Sequence, residues 1–491
     1  MTNTATHTTT KTTTRTVCVK NADWVVAWDA ANGRHAYLER ADVAWDGDTL
    51  VHVGRGYTGR VDETVDGRGL MIMPGLIDVH SHPCLEASYR GIREEHGIPE
   101  MYMSGLFERA GAYWPDDPGK LACAEAAYCE LLKSGVTTLV DISGEYPGWL
   151  ELIAKSGLRG VLAPTYASSR WVMRRSHLIE YEWNEAAGRQ GFASALRFCD
   201  GLAKHPSGRL SGMISPAQID TCTEDLLRDS VAAARERGLP FTVHCAQAAG
   251  EFHEMVRRHG ITPVQWAHQL GLGGPGSILG HAMFIDEHSW LHWWSRTDIS
   301  LMADAGTSVA HCPTPFARYG HTLEHFGKYR RAGVNLGIGT DTVPQNLIEE
   351  MRWATVLARI AAEDIRAVEM ADVFHAATVG GAVALLREDL GRLAPGAKAD
   401  VVLIDLKNPW MMPARDPLRS LIFHAADRAV RDVYVGGEAA VRDGRVLHLD
   451  QAGALDRLTD AQRRMEAAVP QRDGRGRTSL EMTPLSLPPL A

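Results

Sequence analysis

The chain has 491 residues, of which 45% are hydrophobic and 23% are charged, and its formal net charge is -9. This is the composition of a globular protein, and the acidic balance without a Lys/Arg run argues against a nucleic-acid surface. No apolar run reaches the roughly 18 residues needed to span a bilayer, so we expect no membrane association.

Both ends of the chain are rich in β-prone runs. After a Thr-rich stretch, residues 1–15, which lacks a secretory signal and is expected to be a disordered tail, residues 16–73 alternate short β-prone runs with turns. A similar stretch returns over residues 394–447. Because chain ends are often close in space, we expect the two stretches to form one composite β-sandwich. Residues 448–491 are predicted to be an extension, either a tail or a subunit contact.

The middle of the chain, residues 74–393, alternates predicted strands and helices. Strands are predicted at 136–141, 157–164 and 209–216, and helices at 121–133, 223–237 and 364–386. This alternation is typical of an α/β fold with a TIM-type (β/α)8 barrel. In such a barrel the C-terminal ends of all strands open on one face, so residues distant in sequence converge there.

Several predicted strands end in metal-ligating residue types. His80 and His82 close the first of them at i, i+2 spacing, which puts both imidazoles on one face of a strand. Later apolar runs end at His244, His281 and His311, and the series closes with Asp341. Three neutral histidines and one carboxylate make a four-ligand site for a divalent metal with room for water.

At this point the chain resembles the amidohydrolase superfamily, in its branch of cytosine, guanine and triazine deaminases and chlorohydrolases. The resemblance rests on the segments PGLIDVHSH, TVHCAQ, GHAMFIDEHSW, RRAGVNLGIGTD and LAPGAKADVVLIDL. It implies a barrel with a composite β-domain, and it implies that the metal ligands are His80, His82, His244 and Asp341. It also implies that His281 binds either the substrate or the water at the metal.

The fourth predicted strand bears on the number of metals. Relatives with two metals carry a carboxylated lysine there, whereas this chain reads Met213 to Gln218 without a lysine. We therefore expect one divalent metal, zinc first, with iron, manganese or cobalt as alternatives. Asp341 is expected to act as general base toward the water, and His281 to bind the substrate oxygen as charge develops.

One departure from the deaminase pattern affects the expected reaction. In that branch the strand-5 histidine is followed three residues later by a glutamate that protonates the ring nitrogen, but here Gln247 stands at this position. A glutamine cannot carry a proton at neutral pH. Glu251 could replace it only if the loop folds back. We therefore expect hydrolysis of an amide-, urea- or carbamate-type C–N bond rather than deamination of a ring.

Further residues are candidates for substrate contact. They are His281, His311, Gln247, Tyr166 and Trp171, with the loop residues His96 and His177 as weaker ones. His311 begins the segment HCPTPF, where the deaminases tend to read HNPTSN, so the turn that seats their substrates is altered.

Three functions remain open from the sequence. The first is a mononuclear amide-, urea- or carbamate-type hydrolase with Asp341 as base and Gln247 and His281 at the reaction centre. The second is a deaminase or dechlorinase of a nitrogen heteroaromatic ring, and the third a non-catalytic scaffold, which the complete ligand set disfavours. The partner is a small molecule, and we expect a homo-oligomer, a dimer or higher. The eight cysteines form no CxxC pair, which predicts reduced thiols in a cytoplasm.

Overall fold

The computed structural model describes residues 15–92, 101–175 and 178–490. The predicted disordered tail, except for its last residue, lies outside these ranges, as do His96 and His177. Among the described residues, no helix combines the length and the apolar character needed to cross a membrane. All eight cysteines are buried and unpaired, as expected for reduced thiols.

Twenty strands lie within the described residues. They are β1 Thr16–Asp29, β2 Arg34–Asp46, β3 Thr49–Gly54, β4 Glu63–Asp66, β5 Leu70–Pro74, β6 Leu76–Ser81, β7 Val136–Ser143, β8 Arg159–Tyr166, β9 Ser169–Arg175, β10 Leu178–Trp183, β11 Leu210–Gly212, β12 Ser215–Pro216, β13 Phe241–Cys245, β14 Ser277–His281, β15 Ser308–His311, β16 Asn335–Ile338, β17 Val401–Asp405, β18 Val430–Val435, β19 Glu438–Arg442 and β20 Arg445–Val446.

The α-helices of the same residues are α1 Pro83–Glu86, α2 Ser104–Ala112, α3 Asp117–Lys133, α4 Trp149–Ser156, α5 Glu185–Leu202, α6 Glu224–Arg237, α7 Ala249–His259, α8 Pro263–Gln269, α9 Asp298–Ala305, α10 Pro313–Arg318, α11 Phe326–Ala332, α12 Leu347–Ala362, α13 Met370–His375, α14 Gly381–Ala384, α15 Pro417–Ser420, α16 Gln451–Arg472 and α17 Ser479–Met482. Short 3-10 turns at Ala87–Tyr89 and Ala426–Ala429, and π turns at Ala376–Gly380 and Leu421–Ala425, connect some of them.

One nine-stranded sheet combines strands from both ends of the chain. Its order is β20-β19-β18-β17-β5-β1-β2-β3, and β4 pairs with β1 beside this path. The contact between the two chain ends is the antiparallel pair of β17 and β5, in which Val402 lies opposite Met73. Strand β1 pairs with β4 along its first half and with β5 along its second, and a bulge between Val19 and Ala22 separates the two halves. Such a bulge bends a long strand, so one strand can serve two parts of a sheet.

Two parallel sheets make up the middle of the chain. One has the order β11-β8-β7-β6, with β12 also on β8, and the other has the order β13-β14-β15-β16. Parallel bridges connect the sheets on both sides, from Ser81 to Asp341 and from Ile214 to Phe241. The carboxyl ends of β6, β13, β14 and β16 are thereby brought to one edge, where the predicted ligands lie.

One helical prediction needs correction, and one helix was not predicted. The single helix expected over residues 364–386 is interrupted: α13 is followed by a π turn and by the short α14. A Cβ on Gly380 would lie 2.2 Å from the carbonyl oxygen of Leu336, so the chain here packs closer to β16 than a side chain would permit. The extension after residue 447, predicted as a tail or a subunit contact, contains a helix that the sequence analysis did not predict. It forms α16, a helix of 22 residues, which packs along α3.

Candidate metal centre and active-site cavity

Five of the predicted side chains meet at the carboxyl ends of the parallel strands. They are His80 of β6, His82 directly after β6, His244 of β13, His281 of β14 and Asp341, which follows β16. Asp341 has a φ of 56°, in the left-handed region. Its backbone is fixed on both sides, since its N–H donates to the carbonyl of His80 at 2.8 Å and its carbonyl accepts from the N–H of His82 at 3.3 Å. Strained backbone of this kind is common where a side chain must be aimed into a site.

The ligand atoms of these residues lie within a few ångströms of each other. Asp341 Oδ1 is 3.3 Å from His82 Nε2 and 3.6 Å from His80 Nε2, and its Oδ2 is 3.9 Å from His281 Nε2. The groups His80, His244, His281 and His80, His82, Asp341 each have their ligand atoms within 4.8 Å of one another. The cluster is almost sealed from solvent, because His80, His244, His281 and Asp341 are all buried.

The hydrogen bonds of two histidines show that the cluster fits a cation. His82 Nδ1 lies 2.9 Å from the carbonyl of Ile142, and His244 Nδ1 lies 2.7 Å from the carbonyl of Ala217, so each Nδ1–H donates there. In the neutral rings the Nε2 atoms then carry no proton, and they face each other at 3.3 Å. Neither ring nitrogen of the buried His80 has a hydrogen-bond partner. Opposed lone pairs and an unpartnered buried imidazole are satisfied by a divalent metal, which would supply Lewis acidity and activate water.

The charge states in the cluster agree with this fit. Burial, and next the charges of His281 and His244, hold the pKa of His80 well below its usual value. Burial, followed by His82 and His281, lowers the pKa of His244 to about 3. For Asp341 burial works in the opposite direction, but the hydrogen bond with His82 and the neighbouring histidines outweigh it and lower its pKa. Burial thus favours neutral imidazole at His80 and His244, and Asp341 is ionised. At His82 burial acts to lower the pKa, but the hydrogen bond with Asp341 outweighs it and raises the pKa; a bound metal would displace that proton.

A buried polar network connects the two elements that carry the ligands. Thr340 Oγ1 donates to Asp78 Oδ2 at 2.6 Å, and Ser81 Oγ donates to Gln345 Oε1 at 2.7 Å. Asp78 and Ser81 belong to β6, whereas Thr340 and Gln345 follow β16. These bonds hold the ends of β6 and β16 in register, which fixes the position of Asp341 relative to His80.

A cavity of about 910 Å³ opens above the cluster. His82, His244 and Asp341 line it, together with the aromatic side chains Phe107, Trp171 and Phe316. The rings of Phe107 and Trp171 meet edge-on with centroids 4.9 Å apart, and Phe316 meets His281 in the same way at 4.5 Å. This volume and these walls suit a small molecule with a planar ring.

Two of the residues predicted to contact substrate line this cavity. Trp171 does so while its Nε1 donates to Asp220 Oδ2 at 2.8 Å. Gln247 also lines it, and its Nε2 donates to Gln218 Oε1 at 2.7 Å. Glu251 does not replace the missing glutamate, because its carboxylate accepts the backbone N–H groups of Ala246, at 2.6 Å, and Gln247, at 3.0 Å. It stabilises the turn after β13 and faces away from the cavity.

Two other predicted contacts are corrected. Tyr166 is buried on the outer side of β8: its hydroxyl donates to Ser230 Oγ at 2.7 Å and its ring packs on Phe192. His311 is buried behind the cluster against Phe326. Neither residue lines the cavity. The alternation of side chains along a strand, or the depth of the residue in the interior, places each side chain away from it. His281 lies within the cluster, beneath the cavity wall.

Sequence reasoning missed a second carboxyl in the cavity. Glu86 lies one helical turn after His82, is buried, lines the cavity, and has an Oε2 without a hydrogen-bond partner. Its Oε1 is 3.7 Å from Arg109 Nη2, and the Arg109 guanidinium stacks over Tyr89. Burial, opposed by Arg109, raises the pKa of Glu86 to about 7. The i, i+4 spacing from His82 is the only signal in the sequence that could have indicated it.

The chain was also compared with known proteins. Residues 71–440 match the model of the amidohydrolase family. A 5-methylthioadenosine/S-adenosylhomocysteine deaminase of Natronomonas pharaonis is 30% identical over 442 residues, covering 89% of this chain and 96% of that protein. Two solved structures share the fold at 23% sequence identity. The first is a zinc-bound adenosine deaminase from Xanthomonas campestris, with a TM-score of 0.77; the match covers 92% of this chain and 98% of that one. The second is a zinc complex of atrazine chlorohydrolase from Arthrobacter aurescens, with a TM-score of 0.75; the match covers 91% of this chain and 100% of that one.

The chain therefore belongs to the amidohydrolase family, as its motifs indicated. It is a metal-dependent hydrolase that cleaves carbon–nitrogen bonds, other than peptide bonds, in small molecules. This activity needs a divalent metal. The cluster of His80, His82, His244, His281 and Asp341 offers suitable ligands for one.

Proposed function

We propose that this enzyme deaminates an aminated nitrogen heterocycle of nucleoside size. The observation that carries the proposal is the cavity, in which a histidine and aspartate cluster lies beneath aromatic walls and the carboxyls of Asp341 and Glu86 are among those that line the same space. The volume of about 910 Å³ exceeds what a bare base needs. The adenosine-type deaminases among the relatives support the same substrate class.

The proposed role of each residue follows from the position of its side chain. Asp341 accepts the proton of the attacking water and passes it to the departing amine. The buried His281 stabilises the charge that develops on the oxygen bonded to the reacting carbon. Phe107 and Trp171 hold the ring, and Glu86 can exchange a proton with a ring nitrogen, which Gln247 cannot.

Three finer points belong to this proposal. We infer a single metal, zinc first, held by His80, His82, His244 and Asp341; the absence of a lysine at the end of the fourth strand supports this count. We infer that the two parallel sheets close into a (β/α)8 barrel, which the bridges on both sides and the shared interior cluster around Ile77, Val140 and Ile278 support. Residues 74–393 would form that barrel, with 16–73 and 394–447 as its companion domain and 448–491 as an extension. The oligomeric state stays a prediction.

A second candidate is hydrolysis of an amide-, urea- or carbamate-type bond. The specific observation that favours it is Gln247, whose amide is already bonded to Gln218 and offers no acid to a ring nitrogen. Asp341 alone would then move the proton from water to the leaving nitrogen.

The experiment is a release assay with zinc-reconstituted enzyme. Ammonia is measured with adenosine, 5'-methylthioadenosine, adenine, cytosine and an aminotriazine, and ammonia or amine is measured with a matched set of amides, ureas and carbamates. We expect the nucleosides to be turned over fastest. Preference for the second set would overturn the deaminase proposal in favour of the second candidate.

The metal assignment is tested on the same preparation. Elemental analysis should give one metal per chain, and His80→Ala should remove most of it. Two metals per chain, or a His80→Ala variant with unchanged metal content, would contradict the assignment.

A further inference from the structure

The segment after α16 reaches the rim of the cavity. Residues of β9 line the cavity, and so do Arg472, Asp473, Gly474 and Arg477, although these four lie about 130 residues in sequence beyond the last cluster residue, Asp341. The extension therefore does more than cover the outside of the fold. It supplies part of the wall against which a substrate would lie.

A mostly buried ion network joins this segment to α2. Arg477 Nη2 is 2.9 Å from Glu108 Oε2 and 2.9 Å from Asp473 Oδ1, and the side chains of Glu108 and Asp473 are 4% and 8% exposed. Asp473 Oδ2 also accepts the backbone N–H of Arg477 at 2.9 Å. A charge-assisted network with this little exposure is stronger than an ordinary surface ion pair.

Helix α2 carries two of the residues that matter in the cavity. Phe107 and Arg109 flank Glu108 in sequence, and both line the cavity, where they contact Trp171 and approach Glu86. The pair of Glu108 and Arg477 therefore fixes the helix from which these two side chains project.

The extension is itself anchored, so that it can hold α2 in place. Arg464 forms a double hydrogen bond with Asp116 at 2.7 and 2.9 Å, and Gln462 Nε2 donates to the carbonyls of Ser88 and Arg90 at 2.7 and 2.8 Å. Closer to the cavity, Tyr113 and Ser479 share a hydrogen bond of 3.1 Å between their hydroxyl oxygens. Each contact lies next to α2 or to the turn that follows His82.

We propose that the turn from Arg472 to Arg477 is a specificity-determining wall of the substrate cavity, and that Arg477 is a positioning residue that holds α2 through Glu108. The proposal rests on the proposed function only in taking this cavity as the substrate site. It assigns Arg477 no part in the chemical step. Loss of the Arg477 side chain should therefore weaken substrate binding and reduce discrimination between substrates of different size. The metal and the side chains that carry protons should keep their positions.

The first test does not depend on any substrate. Hydrogen exchange of the α2 amides is compared between the unmodified zinc-loaded enzyme and Arg477→Ala, with Arg475→Ala as the matched control. Arg475 is exposed and is not among the cavity-lining residues. We expect α2 to exchange at least tenfold faster in Arg477→Ala and to be unchanged in the control. Unchanged exchange of α2 in Arg477→Ala would overturn the positioning role.

The second test is kinetic and uses adenosine and adenine as probes. Arg477→Ala should raise the KM for adenosine about tenfold with kcat within twofold, and it should reduce the preference for adenosine over adenine. Arg477→Lys should restore part of the loss, and Glu108→Gln should reproduce it if Arg477→Ala folds poorly. Equal losses for both probes, or a loss in kcat alone, would refute the specificity role. If the unmodified enzyme fails to turn over adenosine, that result counts against the proposed function, whereas the exchange test still decides this inference.

Discussion

At the scale of single residues, the site depends on which ring nitrogens of its histidines carry a proton. His82 and His244 both give their Nδ1 protons to backbone carbonyls, so that their Nε2 atoms oppose each other at 3.3 Å. The same carbonyls orient the rings before any metal arrives, which is how outer hydrogen bonds tune a metal site. The sequence spacing predicted that these side chains converge, but it could not predict these carbonyl partners, which come from other parts of the chain.

Asp341 is the residue on which the proposed chemistry depends most. Asp341→Asn keeps the side-chain shape but removes both the anionic ligand and the proton acceptor. We expect kcat to fall by at least roughly 10²-fold, the lower range for loss of a general base. Steady-state kinetics together with metal analysis separates the two roles. An Asn variant that keeps its metal and most of its turnover would exclude Asp341 as the base.

Gln247 is the residue that distinguishes the two candidate reactions. Gln247→Glu adds a carboxyl to the cavity wall, and the amide of Gln218 can turn to donate to it. Because Glu86 is proposed to exchange the ring-nitrogen proton already, we expect the rate of heteroaromatic deamination to change by less than about tenfold, well under the roughly 10²–10⁴-fold that a missing general acid is worth. The control is Gln247→Ala, which loses the same hydrogen bond without adding a carboxyl. A Glu variant that deaminates the ring at least tenfold faster than the parent would mean that Glu86 does not supply the ring proton.

At the scale of elements, some sequence signals were sufficient and others were overridden. The helix expected at 223–237 begins after Thr223, whose side chain accepts from Leu226 N–H, and it ends at Gly238 with a φ of 61°, so local caps defined it. The helix predicted at 364–386 begins only at Met370 and changes to π geometry over Ala376–Gly380, where Gly380 packs closely on β16 in a way that no local pattern reveals. Helix α16 was missed although its buried Ala454, Leu458, Ala461, Met465 and Val469 recur at helical spacing.

Glycines on the inner strands make room for the ligands. A Cβ on Gly280 of β14 would lie 2.8 Å from Cε1 of His80, closer than real Cβ atoms approach. We expect Gly280→Ala to displace this imidazole and to lower the metal content several-fold, with a stability loss of roughly 1–3 kcal/mol for the overpacked interior. Metal analysis and urea unfolding measure both effects.

The control for that variant is Gly201→Ala in α5, where a Cβ meets nothing within 4 Å. It should keep its metal and gain roughly 0.5–1 kcal/mol, since alanine favours a helix more than glycine does. Equal metal contents in the two variants would show that Gly280 does not control the position of His80.

At the scale of the whole molecule, the terminal sheet and the parallel sheets share a buried ion pair. Arg159, at the start of β8, bonds Asp400, just before β17, through Nε at 3.1 Å and Nη2 at 3.0 Å, and both side chains are 5% exposed. Asp400 also accepts the N–H of Gly436 at 2.7 Å. Arg159→Met would leave this carboxylate buried and unpaired. We expect a loss of about 3–5 kcal/mol in urea unfolding.

The exposed pair of Arg463 and Asp460 is the matched control, with side chains 74% and 65% exposed. Arg463→Met should change the free energy of unfolding by less than about 1 kcal/mol. Similar losses in both variants would mean that burial does not determine the strength of the pair between Arg159 and Asp400.

A second contact between the two parts of the chain should make stability depend on pH. His35 of β2 is 3.0 Å from Thr378 Oγ1 beyond α13, and its Nδ1 is buried without a partner. Burial, followed by the charges of His375 and Arg392, lowers the pKa of His35 from 6.5 to about 3. Between pH 6.5 and about pH 3, His35 is protonated in the unfolded chain but neutral in the folded chain. The stability that His35 contributes is therefore present above pH 6.5 and is lost as the pH falls toward 3.

His35→Gln removes this titration but keeps an N–H group that can reach Thr378. Unfolding by urea in excess zinc at pH 7.5 and pH 5.0 should show a smaller acid loss in the variant than in the parent. We expect a difference of roughly 1 kcal/mol, reduced from the full linkage value because the side chain is partly exposed. Since the other buried histidines and the metal ligands are common to both proteins, their acid sensitivity cancels in the comparison. An equal change in the free energy of unfolding with pH in the two proteins would show that His35 becomes protonated in the folded protein. The contact between β2 and the helical segment would then break at acidic pH without unfolding.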